Sequence, residues 1–152
     1  ICIMPGADDD GHYVTNLRNL AKKYNVLGKM VFLPFLDDLP AAYMLADVVV
    51  APSLKPEPFG RVIIEAQAMG RPVIAFDHGG ASESIKNNIT GLLVEPKNEK
   101  ELGNAIEKLI NMTEMQRNNM ANSSRKHIVN KFSLDKMNRE TIKLYSEVLK
   151  IK

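Results

Sequence analysis

The chain has 152 residues, 45% hydrophobic and 25% charged, the composition of an ordinary globular protein with a core of its own. A formal net charge of +2 makes no electrostatic case for nucleic acid or for strong membrane attraction. Cys2 alone forms no internal disulfide, which is compatible with a reducing compartment, and no apolar run reaches membrane-spanning length or follows a charged leader.

Ile1–Met4 reads as a short apolar strand ending in Pro5-Gly6, and a chain that opens inside a strand is expected to be part of a longer protein. Asp8-Asp9-Asp10 precedes a helix pattern from about Tyr13 to Tyr24, with Leu17, Leu20, Ala21 and Tyr24 on one face. Acids in a first helical turn complement its dipole by roughly 0.3–1 kcal/mol each. The competing reading, an Asp-x-Asp metal site, finds no further ligands nearby in the sequence. Lys29–Leu33 is the second strand. Pro34-Phe35-Leu36 then leads to a short helix, Leu39 to Leu45, with Asp37 and Asp38 as cap candidates. Phe35 and Leu36 lie at a strand's carboxyl end, where they border either a nucleotide base or the core.

The β-branched run Asp47–Ala51 is the third strand. The loop after it, Pro52 to Gly60, holds three prolines and one glycine, and is stiff except where Gly60 lets the backbone be approached. A helical segment follows and stops at Gly70 with Pro72 beyond. Pro72–Phe76 is the fourth strand, feeding Asp77-His78-Gly79-Gly80 and a helix from about Ser82 to Asn87. The Gly-Gly pair serves either close approach of a ligand or plain turn chemistry, and His78 reads as a loop histidine before a catalytic one. Gly91–Val94 is the fifth strand.

From Asn98 a helix carries Leu102, Ala105, Ile106, Leu109 and Ile110 on one face, and Thr113-Glu114 starts another with Met115, Met120 and Ala121. Ser133 caps a last helix through Met137, Ile142, Tyr145, Val148 and Leu149. The methionines are read as core filler and Arg125-Lys126-His127 as a solvated face. The alternation of strands and helices predicts an α/β protein, a doubly wound, Rossmann-like parallel sheet in one domain with two closing helices. Neither G-x-G-x-x-G nor a P-loop is present, which argues against a nicotinamide dehydrogenase.

In such a sheet, ligands bind at the carboxyl ends of strands, which singles out the loop before the helix at Gly60. A helix beginning there leaves the N–H groups of Gly60, Arg61 and Val62 free for a phosphate. Glu57 precedes that terminus and Glu65 lies about a turn and a half inside the helix. Ionised carboxylates only accept hydrogen bonds, and a hydroxyl donated to one contributes about 1.5–3 kcal/mol. The spacing suits hydroxyls, a diphosphate and more hydroxyls, as in a nucleotide sugar. Spacing alone favours the plainer reading, in which Glu57 is an ordinary loop acid and Glu65 a solvated helix acid. A paired-carboxylate hydrolase is disfavoured, because a helix N-terminus lowers the pKa of a would-be proton donor.

Glu57-Pro-Phe-Gly-Arg-Val-Ile-Ile-Glu65-Ala resembles the E-x7-E segment of family 4 (group 1) retaining glycosyltransferases. Pro52-Ser53 and Gly70-x-Pro72-Val73-Ile74-Ala75 flank it in the same way. Ala46-Asp47, Gly79-Gly80 with Glu83, Thr90-Gly91-Leu92-Leu93-Val94 and Phe132-Ser133 extend the resemblance over essentially the whole chain. It implies the C-terminal, donor-binding half of a GT-B enzyme, with Glu57 as the catalytic-site acid holding donor-sugar hydroxyls and Glu65 holding the ribose. Backbone at Phe59, Gly60, Arg61 and Val62 would meet sugar and diphosphate, with Phe35 and Leu36 beside the base. It further implies a nucleotide-sugar donor, no cofactor or metal, and a cytoplasmic enzyme, the intact protein being free to lie on the inner face of the membrane. The family's acceptor domain and the first, central strand of this domain, with its basic residues, have no counterpart here. The acceptor, a lipid, lipopolysaccharide or polysaccharide, belongs to that domain, so this chain alone is expected to be inactive. The sheet is expected to show a gap, a rearranged pairing or a borrowed strand, and Pro34 stands where the family often has glycine. A non-catalytic nucleotide-sugar-binding or regulatory module is the alternative.

Overall fold

The computed structural model describes residues 1–7 and 11–150. The triplet Asp8-Asp9-Asp10, and with it both readings of those acids, lies outside the described residues. The chain divides into two compact units, Ile1–Ala42 and Tyr43–Lys152.

In the first unit, β1 (Cys2–Met4) pairs in parallel with β2 (Met30–Phe32), Cys2 opposite Met30 and Met4 opposite Phe32. The crossover between them is α1 (His12–Lys23) and a single 3-10 turn, Leu27–Lys29. The buried positions of α1 are Val14 and Ala21, one helical face seven residues apart. Leu20 and Tyr24, expected on the core face, are exposed, because the apolar stripe runs through Val14 instead. The Arg18 guanidinium lies over the Phe32 ring at 4.3 Å, covering the strand with a cation in place of a hydrocarbon. Beyond the strands, Leu33 N–H donates to Met4 O (3.0 Å) and Ala7 N–H to Leu33 O (3.0 Å), which sets the carboxyl-end loops side by side. Asp38, as its position suggests, caps α2 (Leu39–Leu45) by accepting from Ala41 N–H at 3.0 Å.

The second unit is built on β3 (Val49–Ala51), β4 (Val73–Phe76) and β5 (Leu92–Val94), a parallel sheet with β4 in the middle. All four residues of β4 are buried, as a strand covered on both faces requires. Ile74, Phe76, Leu92 and Val94 pack with Ala105 and Leu109 of α5 (Glu99–Ile110) and with Met120 of α6 (Glu114–Phe132). Helix α3 (Arg61–Ala68) buries Ile63, Ala66 and Gln67, and a Cβ on Gly70 would sit 3.6 Å from Ala121 of α6. Among the described residues no ladder joins β1–β2 to β3–β4–β5.

Two local expectations are corrected. The helix expected over 82–87 is α4 (Gly80–Ser84), and the chain turns extended at Ile85. There Lys86 N–H finds the Thr90 hydroxyl (2.9 Å) and Asn87 bridges to Gly91, a local turn that outcompetes another helical turn. Thr90 is itself buried and its carbonyl accepts from Ser124 Oγ at 2.8 Å, while a Cβ on Gly91 would meet Val73 O at 2.6 Å. That motif therefore packs the sheet end. The methionines do not all fill a core: Met120 is buried, whereas Met44, Met115 and Met137 are exposed. Helix α7 (Leu134–Leu149), opened as expected by Ser133 accepting from Lys136 N–H, buries none of its residues.

Candidate functional site

The loop from β3 to α3 is fixed from its flank by the loop after β4. Gly80 N–H donates to Glu57 O at 2.8 Å. A Cβ on Gly79 would lie 2.5 Å from Glu57 O, and one on Gly80 would lie 2.6–2.7 Å from the Phe59 backbone. Only glycine lets these two backbones touch, and at Gly79 φ is +55° as well. The close approach foreseen at Gly79-Gly80 is thus made by the 57–59 backbone of the chain itself.

Gly60, with φ 74° and ψ 60°, turns the loop into α3 as its N-cap and is buried. Its carbonyl accepts from Ile63 N–H (3.0 Å) and Ile64 N–H (3.4 Å). No side chain caps this helix and no acid lies in its first turn. The terminus keeps the partial positive charge of unpaired amides that attracts an anion.

Glu57 is exposed and accepts a hydrogen bond from Ser53 Oγ across the turn. Ser53, Glu57, Gly60 and His78 line a small cleft of about 10 Å³ together with Ala51, Ile63, Phe76 and Ala81. His78 is edge-on to Phe76, with centroids 6.3 Å apart. Its ring nitrogens are shielded from solvent and have no hydrogen-bond partner among the described residues.

Glu65 is held at both carboxylate oxygens. Tyr43 Oη donates to Oε2 at 3.0 Å, and Arg61 donates to Oε1 from Nε (3.2 Å) and Nη2 (3.1 Å). The Arg61 side chain is 81% exposed, so this i,i+4 pair adds little stability, and its effect is to fix the carboxylate's orientation. The Tyr43 phenol is buried and its pKa is pushed up to about 12, first by desolvation and then by the hydrogen bond and negative charge of Glu65, against the Arg61 charge. Tyr43 is a neutral donor over the whole physiological range.

The Phe59 ring turns away from the cleft and meets Phe132 edge-on, with centroids 5.9 Å apart. Val62 is exposed on the first turn of α3. The structure therefore gathers Glu57 and Gly60 at the cleft, with Phe59, Arg61, Val62 and Glu65 on the same loop and helix. Phe35 and Leu36 belong to the first unit, where Phe35 is exposed and Leu36 half-buried. Tyr43 and Ser53 are the hydrogen-bond partners of the two acids that sequence reasoning missed. Tyr43 lies 22 residues before Glu65, with no local pattern to link them, whereas Ser53, four residues before Glu57, was available as a neighbouring hydroxyl. The His127 pKa is lowered by burial first and by the Lys86 and Lys131 charges next. No group of three or more His, Cys, Asp or Glu among the described residues is arranged to hold a metal ion. No helix among those residues is long and apolar enough to cross a membrane.

Comparison with known proteins fits this arrangement. The sequence model for glycosyl transferases group 1 matches residues 1–127. An uncharacterized glycosyltransferase of Methanocaldococcus jannaschii is 35% identical over 145 residues, 94% of this chain and 36% of that protein. The crystal structure of a glycosyltransferase from Rickettsia africae superposes with a TM-score of 0.91 at 34% identity, over 99% of this chain and 40% of its own. Alr3699/HepE of Anabaena, solved with UDP, gives 0.89 at 30% identity over 95% of this chain and 40% of its own, and is also solved with UDP-glucose. The chain spans about a third of the length of the curated relatives it matches. Its α/β architecture is that of the C-terminal, Rossmann-like half of such GT-B proteins. The chain belongs to the group 1 glycosyltransferases.

Proposed function

We propose that this chain is the donor-binding half of a retaining, family 4 glycosyltransferase that moves a sugar from a nucleoside diphosphate to a lipid, lipopolysaccharide or polysaccharide acceptor. The observation that carries the reading is the uncapped N-terminus of α3, flanked by the outward-facing carboxylate of Glu57 and the oriented carboxylate of Glu65. An anion is attracted to that terminus, and hydroxyl-bearing groups on either side of it suit the two acids. In this reading Glu57 accepts from donor-sugar hydroxyls, with Ser53 holding its other face. Glu65, set by Tyr43 and Arg61, accepts from the ribose. Amides from Phe59 to Val62 meet the diphosphate and stabilise the charge that develops on it as the glycosidic bond breaks, without a metal. Phe35 and Leu36 remain the candidates for the base.

The UDP and UDP-glucose complexes of the Anabaena protein support a nucleotide sugar as the ligand class. The acceptor falls to a further domain of the intact enzyme, in the cytoplasm or on the inner face of the membrane, so this half by itself is not expected to turn over. Calorimetric titration of the full-length protein with UDP-, GDP- and ADP-sugars tests the reading. One of the three binding with saturation is expected, and heat from none of them overturns it.

A further inference from the structure

The donor loop is held a second time, through its one aromatic side chain. Helix α4, whose Gly80 grips the backbone at Glu57 and Phe59, ends near Glu83, and the carbonyl of Glu83 accepts from Lys131 Nζ at 3.2 Å. The same ammonium lies 5.3 Å from the ring centroid of Phe132, the last residue of α6. Phe132 is braced by His127 (5.9 Å, 79° between planes) and stands edge-on to Phe59 (5.9 Å, 69°). The contacts close a circuit: loop backbone to α4, α4 to Lys131, Lys131 to Phe132, and Phe132 back to the loop through Phe59. Phe59 is 50% exposed and, with Phe132, Lys136, Met137 and Glu140, borders an open cavity of about 270 Å³. Removing the Phe132 ring would take away this edge-on contact and enlarge the space into which Phe59 can turn. The peptide units on either side of it carry the amides assigned to the diphosphate.

We propose that Phe132 is a positioning residue for the donor loop, acting through Phe59 to fix the amides from Phe59 to Val62. This rests on the donor-site reading above, and touches the ligand only through Phe59. Lys131 supports the same arrangement by tying Phe132 to α4, so the end of α6 and the start of α4 together set the loop.

The test combines two measurements on the full chain. Amide hydrogen exchange at residues 59–62 needs no ligand: Phe132→Ala should speed exchange there while leaving β4 unchanged, and unchanged exchange at 59–62 overturns the proposal. Titration with UDP, GDP and ADP then reads the consequence. For whichever nucleotide the wild type binds, Phe132→Ala should weaken binding about 3- to 10-fold, the range of one aromatic pair. Phe132→Tyr should restore it, and Phe132→Ala should add less than about twofold in a Phe59→Ala background, as expected of residues that act as one unit. Full additivity of the two changes contradicts action through Phe59. Binding of no nucleotide by the wild type removes the donor reading, while the exchange result still decides whether Phe132 holds the loop.

Discussion

Two loops leave the carboxyl ends of parallel strands, and they are built differently. The loop after β3 is gripped at Glu57 and Phe59 by Gly79 and Gly80, closed into α3 by a left-handed Gly60, and anchored on a sheet whose central strand is wholly buried. The loop after β2, Pro34 to Leu36, is tied by Gly6 N–H to Pro34 O at 3.2 Å and leaves the Phe35 ring 72% exposed beside a two-stranded ladder. In sequence both are proline-containing turns after apolar runs. The difference lies in what packs behind them. A loop that presents backbone amides to a charged group gains from being fixed beforehand, because ordering it on binding would offset the interaction.

That contrast is sharpest in the strands. Ile74→Ala in β4 removes a fully buried side chain and should destabilise the protein by about 2–5 kcal/mol, whereas Val31→Ala, 40% exposed in β2, should cost less than about 1 kcal/mol. Chemical denaturation of the two variants measures both, and equal losses would remove the distinction between the supports.

Gly80→Ala attacks the grip itself. Its methyl would lie 2.6–2.7 Å from Phe59 backbone atoms that have no flexible side chain to yield, so the loop must move. The expected stability loss is about 1–3 kcal/mol, with nucleotide affinity falling more than the stability change alone explains. Gly28→Ala, with no atom near its added methyl, should change neither.

The arrangement was unevenly legible in the sequence. Helix α2, the turn into α3 at Gly60, and the Asp38 and Ser133 caps follow from local rules, since a cap or a left-handed glycine is decided by residues within one turn. The two acids stood out by spacing and by family resemblance. The rest is non-local. Tyr43 reaches Glu65 across 22 residues, Lys131 reaches Glu83 across 48, and Gly79-Gly80 meets another segment of the same chain where a ligand was one of two readings. The exposure of Leu20, Tyr24 and the large apolar residues of α7 was equally hidden, because an apolar residue's burial depends on what stands opposite.

Tyr43 gives a smaller, pH-dependent effect. Its phenol titrates near 10 in the unfolded chain and at about 12 when folded, so above pH 10 the unfolded state loses a proton that the folded state keeps. The contribution is fully present below pH 10 and is lost as pH rises toward 12. Tyr43→Phe should cost about 1 kcal/mol at neutral pH through the hydrogen bond to Glu65. Thermal unfolding between pH 9 and about 12 should fall less steeply in this variant than in the wild type, and identical slopes would contradict the assignment.

The central claim is that Glu57 and Glu65 read opposite ends of one nucleotide sugar across the terminus of α3. Its most direct test is calorimetric titration of Glu57→Ala and Glu65→Ala with a nucleoside diphosphate and with the matching nucleotide sugar. The account predicts that Glu65→Ala weakens both ligands alike, by about tenfold for a lost charged hydrogen bond, while Glu57→Ala weakens only the nucleotide sugar. Equal losses of the free nucleoside diphosphate in both variants would contradict it.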